Sequence, residues 1–256
     1  MQMTTFVQEA GLAVLTLSRP ELMNALNATM RQELRTAIEI AARSARVLVL
    51  TGAGRAFCSG QDLSDRIAGA DFDLEATLRD EYEPLLRELY VCPIPTIAAV
   101  NGAAAGAGAN LALACDVVIA TESASFIQAF TRIGLIPDAG GTWTLPRQIG
   151  SARAMGAMLF ADRIGARQAA DWGMIYECVP DDVFVTHWQA RAHHLANGPT
   201  AAYAALKQAL RASPGNGLEQ QLALEARLQG QCGATADFNE GVAAFLEKRA
   251  ARFVGR

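Results

Sequence analysis

The chain has 256 residues with a formal net charge of −4, and 51% of its residues are hydrophobic against 19% charged. This composition excludes an intrinsically disordered chain. The negative net charge argues against a nucleic-acid-binding surface, which needs a concentrated basic patch. The length predicts one large domain, or one domain with an appendage. Met1 to Ala10 lacks the basic and then apolar start of an export signal, so we expect a cytoplasmic protein.

Strand and helix signals alternate in the first half of the chain. The β-rich stretch Gly11 to Leu17 precedes Asn27 to Ala42, where apolar residues recur at helical spacing. The fully apolar stretch Val47 to Leu50 indicates a strand in a sheet that is covered on both faces. Residues 52–63, GAGRAFCSGQDL, then form a loop of small residues.

The same order repeats further along the chain, with NGAAAGAGAN as a second glycine-rich turn. The predicted elements of this round are a charged helix, a strand, a helix and a strand: Leu74 to Tyr90, Thr96 to Val100, Leu111 to Cys115 and Val117 to Ala120. After about residue 150 the strands fade, and helices are predicted over Ser151 to Phe160, over Gln168 to Trp172 and beyond Asp181. Two rounds of strand, small-residue loop and helix imply a layered α/β core.

The cysteines bear on disulfides and metal sites, and one uncharged stretch bears on a possible membrane span. The five cysteines are widely spaced and free of any CxxC pair, so we predict reduced core thiols, with neither a disulfide framework nor a metal site. Val91 to Cys115 carries no charge over 25 residues, which is long enough to cross a bilayer. Its prolines, asparagines, glycines and alanines are too weakly apolar to insert well, and we therefore expect buried interior and no membrane partner.

Two loops share one arrangement, in which a strand ends, small residues follow and a helix begins. Gly60 and Gln61 stand at the start of one predicted helix, and Gly106 to Gly108 stand at the start of the other. Backbone N–H groups at a helix start lack intrahelical partners and attract negative charge. If the two strands are neighbours, two N–H groups converge and can hold an oxyanion. The alternative, which spacing alone favours, is that these glycines only permit tight turns and close packing.

Several familiar catalytic and cofactor motifs are missing from the sequence. The third glycine of a dinucleotide fingerprint would fall at Leu111, and GAGRAFCSG lacks the Gly-Lys-Ser/Thr of a phosphate-binding loop. No serine stands in a GxSxG elbow. The three histidines, His187, His193 and His194, lie in the helical C-terminal part, where a solvated or partly packed helix face is the favoured role.

Asp138 is the carboxylate that remains as a candidate for chemistry. It lies between Pro137 and a pair of glycines, and Pro-Asp-x-Gly is a turn signal. On the residues alone, the favoured role is a side-chain cap for the helix that begins after Gly141. A structural role is likewise predicted for Asp62, as an acidic residue in the first turn of a helix, and for Asp116, as a residue at a helix-to-strand boundary.

Three blocks of sequence, residues 52–63, 95–120 and 133–150, together resemble the enoyl-CoA hydratase/isomerase (crotonase) superfamily in order and spacing. The resemblance implies a crotonase-like spiral of strand-strand-helix turns, followed by C-terminal helices that build a homotrimer or a dimer of trimers. It divides the chain into a spiral core with an acyl-CoA site over residues 1–190 and a helical oligomerisation region over residues 191–256.

The resemblance also implies that an acyl-CoA thioester binds with its carbonyl oxygen in an oxyanion hole. The two N–H groups would belong to Gln61 and to Ala107, where alanine replaces the usual glycine. No separate cofactor is implied, because CoA is part of the substrate. The residues expected against the acyl group are Asp62, Leu63, Asn110, Phe130 and Trp143, and those expected against CoA are Met23, Ala25 and Lys248.

Two departures from the superfamily bear on the reaction. Its hydratases carry glutamates at the positions of Asn110 and Phe130, and water addition needs one group to activate water and another to handle the α-proton. A standard hydratase is therefore not expected. Asp138 aligns with an acid that moves protons in dienoyl-CoA isomerases and is the nucleophile in halobenzoyl-CoA dehalogenases. The dehalogenases need a histidine in the helix before the second block, and residues 73–90 contain none.

Four stretches, GLIPDAGGTW, SARAMGAMLF, DWGMIYECV and ATADFNEGVAAFLEKRA, are similar to isomerases of aerobic phenylacetate breakdown. Those enzymes convert ring-1,2-epoxyphenylacetyl-CoA to oxepin-CoA and also shift 3-enoyl to 2-enoyl thioesters. The resemblance thus predicts a CoA-thioester isomerase in which Asp138 carries the proton. The alternatives are a fatty enoyl-CoA isomerase or hydratase-like enzyme, and a catalytically silent acyl-CoA-binding subunit.

Overall fold

The computed structural model describes residues 2–64 and 73–256. Its strands are β1 Thr4–Glu9, β2 Leu12–Leu17, β3 Val47–Gly52, β4 Ala56–Cys58, β5 Thr96–Val100, β6 Ala103–Ala105, β7 Val117–Thr121, β8 Ser125–Ile127, β9 Ile164–Gly165 and β10 Glu177–Val179. Its α-helices are α1 Ala28–Ser44, α2 Leu74–Thr77, α3 Glu83–Val91, α4 Ala107–Leu113, α5 Gly141–Phe160, α6 Ala166–Asp171, α7 Phe184–Ala196, α8 Thr200–Ala212, α9 Leu218–Gly233 and α10 Ala236–Glu247. A π-helical turn, Leu78–Tyr82, joins α2 to α3.

The larger sheet has the strand order β1-β2-β3-β5-β7-β10, in which β1 and β2 pair antiparallel and the other neighbours pair parallel. Successive residues of β3 point to opposite sides and belong to two separate apolar clusters. Leu48 and Leu50 pack in the cluster that contains α1, and Val47 and Val49 pack with Trp188 of α7. The predicted coverage of this sheet on both faces is therefore confirmed.

A second, smaller sheet has the order β4-β6-β8-β9 and was not predicted from the sequence. Its strands have two or three residues each, and two of them, β4 and β6, lie in the stretches that were predicted as glycine-rich loops. Three times the chain passes from the large sheet to the small one, from β3 to β4, from β5 to β6 and from β7 to β8, and the second and third rounds continue into α4 and α5. This is the predicted spiral of strand-strand-helix turns.

Helix α4 lies in the middle of the molecule, and all seven of its residues are buried. All five residues of β5 are buried as well, so the uncharged stretch from Val91 to Cys115 is largely interior, as predicted. Within the described residues, no helix is both long enough and apolar enough to cross a membrane. The five cysteines form no disulfide, and three of them, Cys58, Cys92 and Cys115, are buried.

The C-terminal helices lie outside this core. Helix α7 runs across the predicted boundary at residues 190 and 191, and its residues from Phe184 to Ala196 still pack on the large sheet. Helices α8, α9 and α10 follow, and they expose several large apolar side chains: Leu206, Leu210, Leu218, Leu222, Phe238, Phe245 and Leu246. Self-association through these helices stays a prediction.

Several predicted element bounds were wrong. Strand β1 was not predicted, α4 begins at Ala107 instead of Leu111, and α5 begins at Gly141 instead of Ser151. The glycines and the proline at 146 obscured the start of α5, although a break does occur at Gly150, whose φ is 78°. Helix starts that lie directly on neighbouring backbone are built from small residues, which give no apolar periodicity.

The packing of α4 on β4 gives a test of the core. A Cβ atom at Gly108 would lie 2.4 Å from the Cys58 carbonyl oxygen, whereas one at Gly156 in α5 would meet nothing within 4 Å. We expect Gly108→Ala to lower the free energy of unfolding by about 1–3 kcal/mol through overpacking. Gly156→Ala should raise it by about 0.5–1 kcal/mol, because alanine favours a helix. Urea unfolding measures both, and equal effects at the two positions would contradict the packing argument.

Candidate active site

Two glycine-rich loops meet where β4 and β6 pair as parallel neighbours. Gly60 follows β4 and has a φ of 95°, and a Cβ atom there would lie 2.8 Å from the Ala105 carbonyl oxygen and 3.4 Å from the Ala107 nitrogen. Glycine is required at position 60 for both reasons. The condition set by the sequence, that the two strands are neighbours, is thus fulfilled.

The backbone N–H groups of Gln61 and Ala107 have no hydrogen-bond acceptor among the described residues. The flanking amide of Asp62 donates to the Leu26 carbonyl at 3.1 Å, so the Gln61 amide is left between paired neighbours. Ala107 is the first residue of α4 and does not have a positive φ; Gly106 before it takes that conformation, with a φ of 52°. Alanine therefore fits at position 107.

The side chain of Gln61 is held by hydrogen bonds from two neighbouring elements. Its Oε1 atom accepts hydrogen bonds from Tyr82 Oη at 2.5 Å and from Arg31 Nη1 at 2.9 Å. Arg31 also donates to the Leu26 carbonyl at 2.8 Å and pairs with Glu81 at 2.6 Å. The loop that carries the free Gln61 amide is thereby attached to α1 and to the π-helical turn.

That π-helical turn places two consecutive side chains on the site. Glu81 pairs with the buried Arg31 guanidinium, whose Cζ atom lies 4.9 Å from the centre of the Tyr82 ring. Tyr82 is itself buried, and burial raises the pKa of its hydroxyl, which therefore stays protonated and donates to Gln61. Single π-helical turns inside α-helices occur frequently at functional sites.

Asp138 lies in the tight turn that leads into α5. The two residues after it, Ala139 and Gly140, both have left-handed backbone, with φ values of 48° and 77°. The N-cap position of α5 belongs to Gly140, so the favoured interpretation of Asp138 as a side-chain cap was wrong. Instead, Asp138 Oδ1 is buried and has no hydrogen-bond partner among residues 2–64 and 73–256, and burial raises the pKa of this carboxyl to about 6.

Asp138 faces a cleft of about 1330 Å³ between the α2–α3 segment and the start of α5. Most of the residues around it are apolar or aromatic, among them Leu78, Leu86, Leu135, Ile136 and Leu210. Trp143 stacks edge-on against Tyr90 with 5.8 Å between the ring centres. Arg147 and Arg211 lie over these two rings at 4.3 Å and 4.5 Å, and Arg79 and Arg87 line the same cleft. The cleft thus combines a dry wall beside Asp138 with cations on its border.

Two predicted acyl contacts lie behind this cleft wall and are not among its lining residues. Phe130 is buried, with its ring 3.6 Å from the place that a Cβ atom on Gly106 would occupy. Asn110 is buried in α4, donates to the Asp138 carbonyl at 2.7 Å and accepts from Gln128 at 2.8 Å. Its amide is therefore bonded within the protein on both sides. Trp143, by contrast, is half exposed and lines the cleft.

The remaining predicted contacts are spread more widely. The carboxylate of Asp62 pairs with Arg19 at 2.8 Å and accepts from Ser64, so the structure uses it to anchor the loop, while Leu63 is exposed. Met23 and Ala25 do lie beside the Gln61 loop, because the Met23 carbonyl accepts from the Ser59 amide at 2.9 Å. Lys248 is exposed at the end of α10 and does not line the cleft.

Sequence reasoning missed Arg31, Tyr82 and Gln128. The sequence does carry a signal for Arg31, because it is a charged residue at helical spacing from Leu34 and Ile38 on the apolar face of α1. Tyr82 and Gln128 give no comparable signal, since their roles depend on partners far along the chain. Within residues 2–64 and 73–256, no group of three or more His, Cys, Asp or Glu side chains could hold a metal ion.

Comparison with known proteins fits this geometry. A family model described as enoyl-CoA hydratase/isomerase matches residues 7–256. The chain belongs to the enoyl-CoA hydratase/isomerase family. A relative from Rhodobacter capsulatus, named "Probable enoyl-CoA hydratase", is 66% identical over 96% of this chain and 95% of its own length. The 1,2-epoxyphenylacetyl-CoA isomerase of Escherichia coli is 47% identical over 97% of each chain.

The fold of this enoyl-CoA hydratase/isomerase family member is shared with solved structures. The crystal structure of an enoyl-CoA hydratase from Bacillus anthracis superposes with a TM-score of 0.92, at 32% identity, and covers 100% of both chains. The predicted crotonase fold is confirmed. Membership of this family indicates an enzyme that acts on CoA thioesters. It does not distinguish a hydratase from an isomerase, because relatives of both kinds match the chain.

The buried carboxyl of Asp138 predicts a pH-dependent stability. Its pKa is about 6 in the folded protein and about 4 in an unfolded chain, so its contribution to stability is complete below about pH 4 and is lost as the pH rises through about 6. We expect Asp138→Asn to raise the free energy of unfolding by about 1–3 kcal/mol at about pH 8, after allowance for its partial exposure, and to change nothing below about pH 4. Urea unfolding at several pH values measures this.

Asp62→Asn is the control, because it should act in the opposite direction. Burial raises the pKa of Asp62, but the hydrogen bonds from Ser64 and the Arg19 ion pair outweigh it and lower the pKa overall. Asp62 therefore stabilises the folded protein above its unfolded pKa, and Asp62→Asn should lower stability at about pH 8. A destabilised Asp138→Asn at that pH would contradict the assignment of an unpaired buried carboxylate.

Proposed function

We propose that this protein is an isomerase of acyl-CoA thioesters in which Asp138 carries the mobile proton. The observation that supports it best is the state of Asp138: a cleft carboxyl with a buried, unpartnered oxygen and a pKa of about 6. A general base works best when its pKa lies near the working pH. The hydratase alternative would place acids at positions 110 and 130, and here those positions hold an internally bonded amide and a buried phenyl ring.

The proposed double-bond shift proceeds in two proton transfers. The Asp138 carboxylate removes a proton from C2 of a 3-enoyl thioester, and the electron pair moves into the thioester as a dienolate with its charge on the carbonyl oxygen. The same carboxyl then returns the proton to C4, which gives the 2-enoyl thioester. Substrate and product have the same composition, so the proposal needs no water, cofactor or second substrate.

The enolate oxygen is the proposed ligand of the free amides of Gln61 and Ala107. These two N–H groups have no acceptor in the part of the chain that the structure describes, and they belong to loops that touch at Gly60. One such donor is typically worth about 3–4 kcal/mol in the transition state, because it is oriented before the charge develops. The hydrogen bonds that Arg31 and Tyr82 donate to the Gln61 side chain hold this loop in place, so that its free amide keeps its direction.

The proposed substrate class is an acyl-CoA with an aromatic or ring-derived acyl group, foremost ring-1,2-epoxyphenylacetyl-CoA, which would become oxepin-CoA. The E. coli relative is named for an epoxyphenylacetyl-CoA substrate, and Trp143 and Tyr90 supply flat apolar surface in the cleft. The arginines on the cleft border suit the anionic phosphates of CoA. A homotrimer or dimer of trimers is part of the proposal, as is a location in the cytoplasm.

The second candidate function is hydration of 2-enoyl-CoA, which the name of the R. capsulatus relative favours. Turnover of three substrates separates the candidates: crotonyl-CoA, a linear 3-enoyl-CoA and the enzymatically prepared ring epoxide. Isomerisation of the epoxide with slow hydration of crotonyl-CoA supports the proposal. Fast hydration of crotonyl-CoA would overturn it, and binding of all three without turnover would indicate the silent subunit.

Asp138→Asn tests the proposed base directly. We expect kcat for the 3-enoyl-CoA shift to fall by about 10²–10⁴-fold, with a smaller change in KM, because the amide cannot accept the proton. In the parent protein, kcat/KM should rise with pH through about 6, since Asp138 must be ionised to act. The matched control is Asp162→Asn, which removes the same charge from an exposed residue and should leave kcat unchanged. Parent-like turnover by Asp138→Asn would refute the assignment.

Ala107→Pro tests the proposed oxyanion donor. Ala107 is the first residue of α4, where proline is tolerated and removes the N–H group without breaking the helix. We expect kcat to fall by about 10²–10³-fold, which is typical for the loss of one donor. Ala28→Pro makes the same change at the first residue of α1, far from the cleft lining, and should leave kcat unchanged. Equal activities of the two variants would argue against an oxyanion hole at Ala107.

A further inference from the structure

Asn110 has an unusual set of contacts for a residue that aligns with a catalytic position. It is 2% exposed, and its Nδ2 atom donates to the backbone carbonyl of Asp138 at 2.7 Å. Gly141 lies directly against the same amide, because a Cβ atom on Gly141 would be 2.3 Å from Asn110 Nδ2. Asn110 therefore contacts the first residue of the turn, Asp138, and the last, Gly141.

The direction of this hydrogen bond is fixed by chemistry. The Asp138 carbonyl can only accept, so the amide group of Asn110 must present its nitrogen there and its oxygen on the other side. That oxygen accepts from Gln128 Nε2 at 2.8 Å, and Gln128 is 1% exposed. The two side chains thus form a buried relay with one orientation, which runs from Gln128 through Asn110 to the backbone of Asp138.

The turn that receives this relay needs support. Ala139 and Gly140 are both left-handed, and left-handed backbone is costly for alanine. Within the turn, the Asp138 carbonyl also accepts from the Gly141 amide at 2.9 Å. The Asn110 bond is the contact that ties this carbonyl to another element, the buried helix α4.

We infer that Asn110, oriented by Gln128, is a positioning residue that holds the Asp138 carboxyl at a set distance from the amide of Ala107. Both Asn110 and Ala107 belong to α4 and lie three residues apart, almost one helical turn. One rigid element would then fix the proton carrier and the oxyanion donor relative to each other. The inference rests on the proposed role of Asp138.

Asn110→Ala removes the donor. We expect kcat for the 3-enoyl-CoA shift to fall about 10–100-fold with KM changed less than about twofold, because misplacement of a reacting group costs rate more than binding. A released turn should admit water to the carboxyl, so the acid limb of the pH profile should move below about 6, toward the ordinary aspartate value. Gln128→Met, which keeps the length and removes the donor, should shift both quantities in the same direction by less.

Asn101→Ala is the matched control for the loss of an internally bonded asparagine. Asn101 Nδ2 donates to the carbonyls of Gly54 at 2.9 Å and Ala56 at 3.4 Å, and its Oδ1 accepts from the Gly52 amide at 3.1 Å, so its amide is also bonded to backbone groups on both sides. It does not contact the Asp138 turn, and it should lower stability without moving the pH profile. An equal shift of the profile in Asn101→Ala would overturn the inference.

A second measurement separates this inference from the proposed function. Carboxyl ¹³C NMR, with Asp138→Asn used for assignment, reports the pKa of Asp138 without turnover. A lower pKa in Asn110→Ala, with no further loss of kcat when it is added to Asp138→Asn, supports the relay. An unchanged pKa and an unchanged kcat in Asn110→Ala would refute it. If Asp138→Asn keeps parent activity, the proposed function fails, while the NMR result still decides the relay.

Discussion

The close contact between the start of α4 and the end of β4 is the constraint on which the site depends. Gly108 rests on Cys58, and Gly60 rests on Ala105 and Ala107, at distances that leave no room for a side chain on either glycine. These contacts hold together the two loops after β4 and β6, in which the amides of Gln61 and Ala107 have no acceptor among the described residues. Any larger residue there would separate the loops and disperse the positive ends of their N–H groups.

The same constraint accounts for the small residues at the start of α4. Where α4 lies directly on Cys58 it has room only for glycine, at position 108, and all residues of α4 from Ala107 to Leu113 are buried. Its one polar side chain, that of Asn110, is bonded on both sides within the protein. A buried polar group costs stability unless its partners are in place, so the amide both requires and enforces the geometry of the Asp138 turn.

Much of the large sheet could be predicted from the sequence, because β3, β5 and β7 are continuous apolar runs and α1 has clear periodicity. The small sheet could not, because strands of two or three residues such as Ala103–Ala105 have no pattern of their own and exist through their neighbours. Gln61, Ala107 and Asp138 came from resemblance to a family. The roles of Arg31, Tyr82 and Gln128 came from the structure, since each depends on a partner that the chain brings from a distance.

The burial of α4 has a consequence for how this fold diversifies. Every residue of α4 is buried, and of its residues only Leu113, at its end, lines the cleft, whereas most of the cleft wall comes from the α2–α3 segment and the start of α5, where Leu78, Trp143 and Arg147 have free space in front of them. Substitutions in those walls can reshape the acyl pocket without disturbing the interior. We therefore expect changes in those walls to alter the choice of acyl group, whereas a change of reaction needs other side chains close to the thioester, at position 110 of α4 among them. That division lets one scaffold serve enzymes as different as hydratases and isomerases.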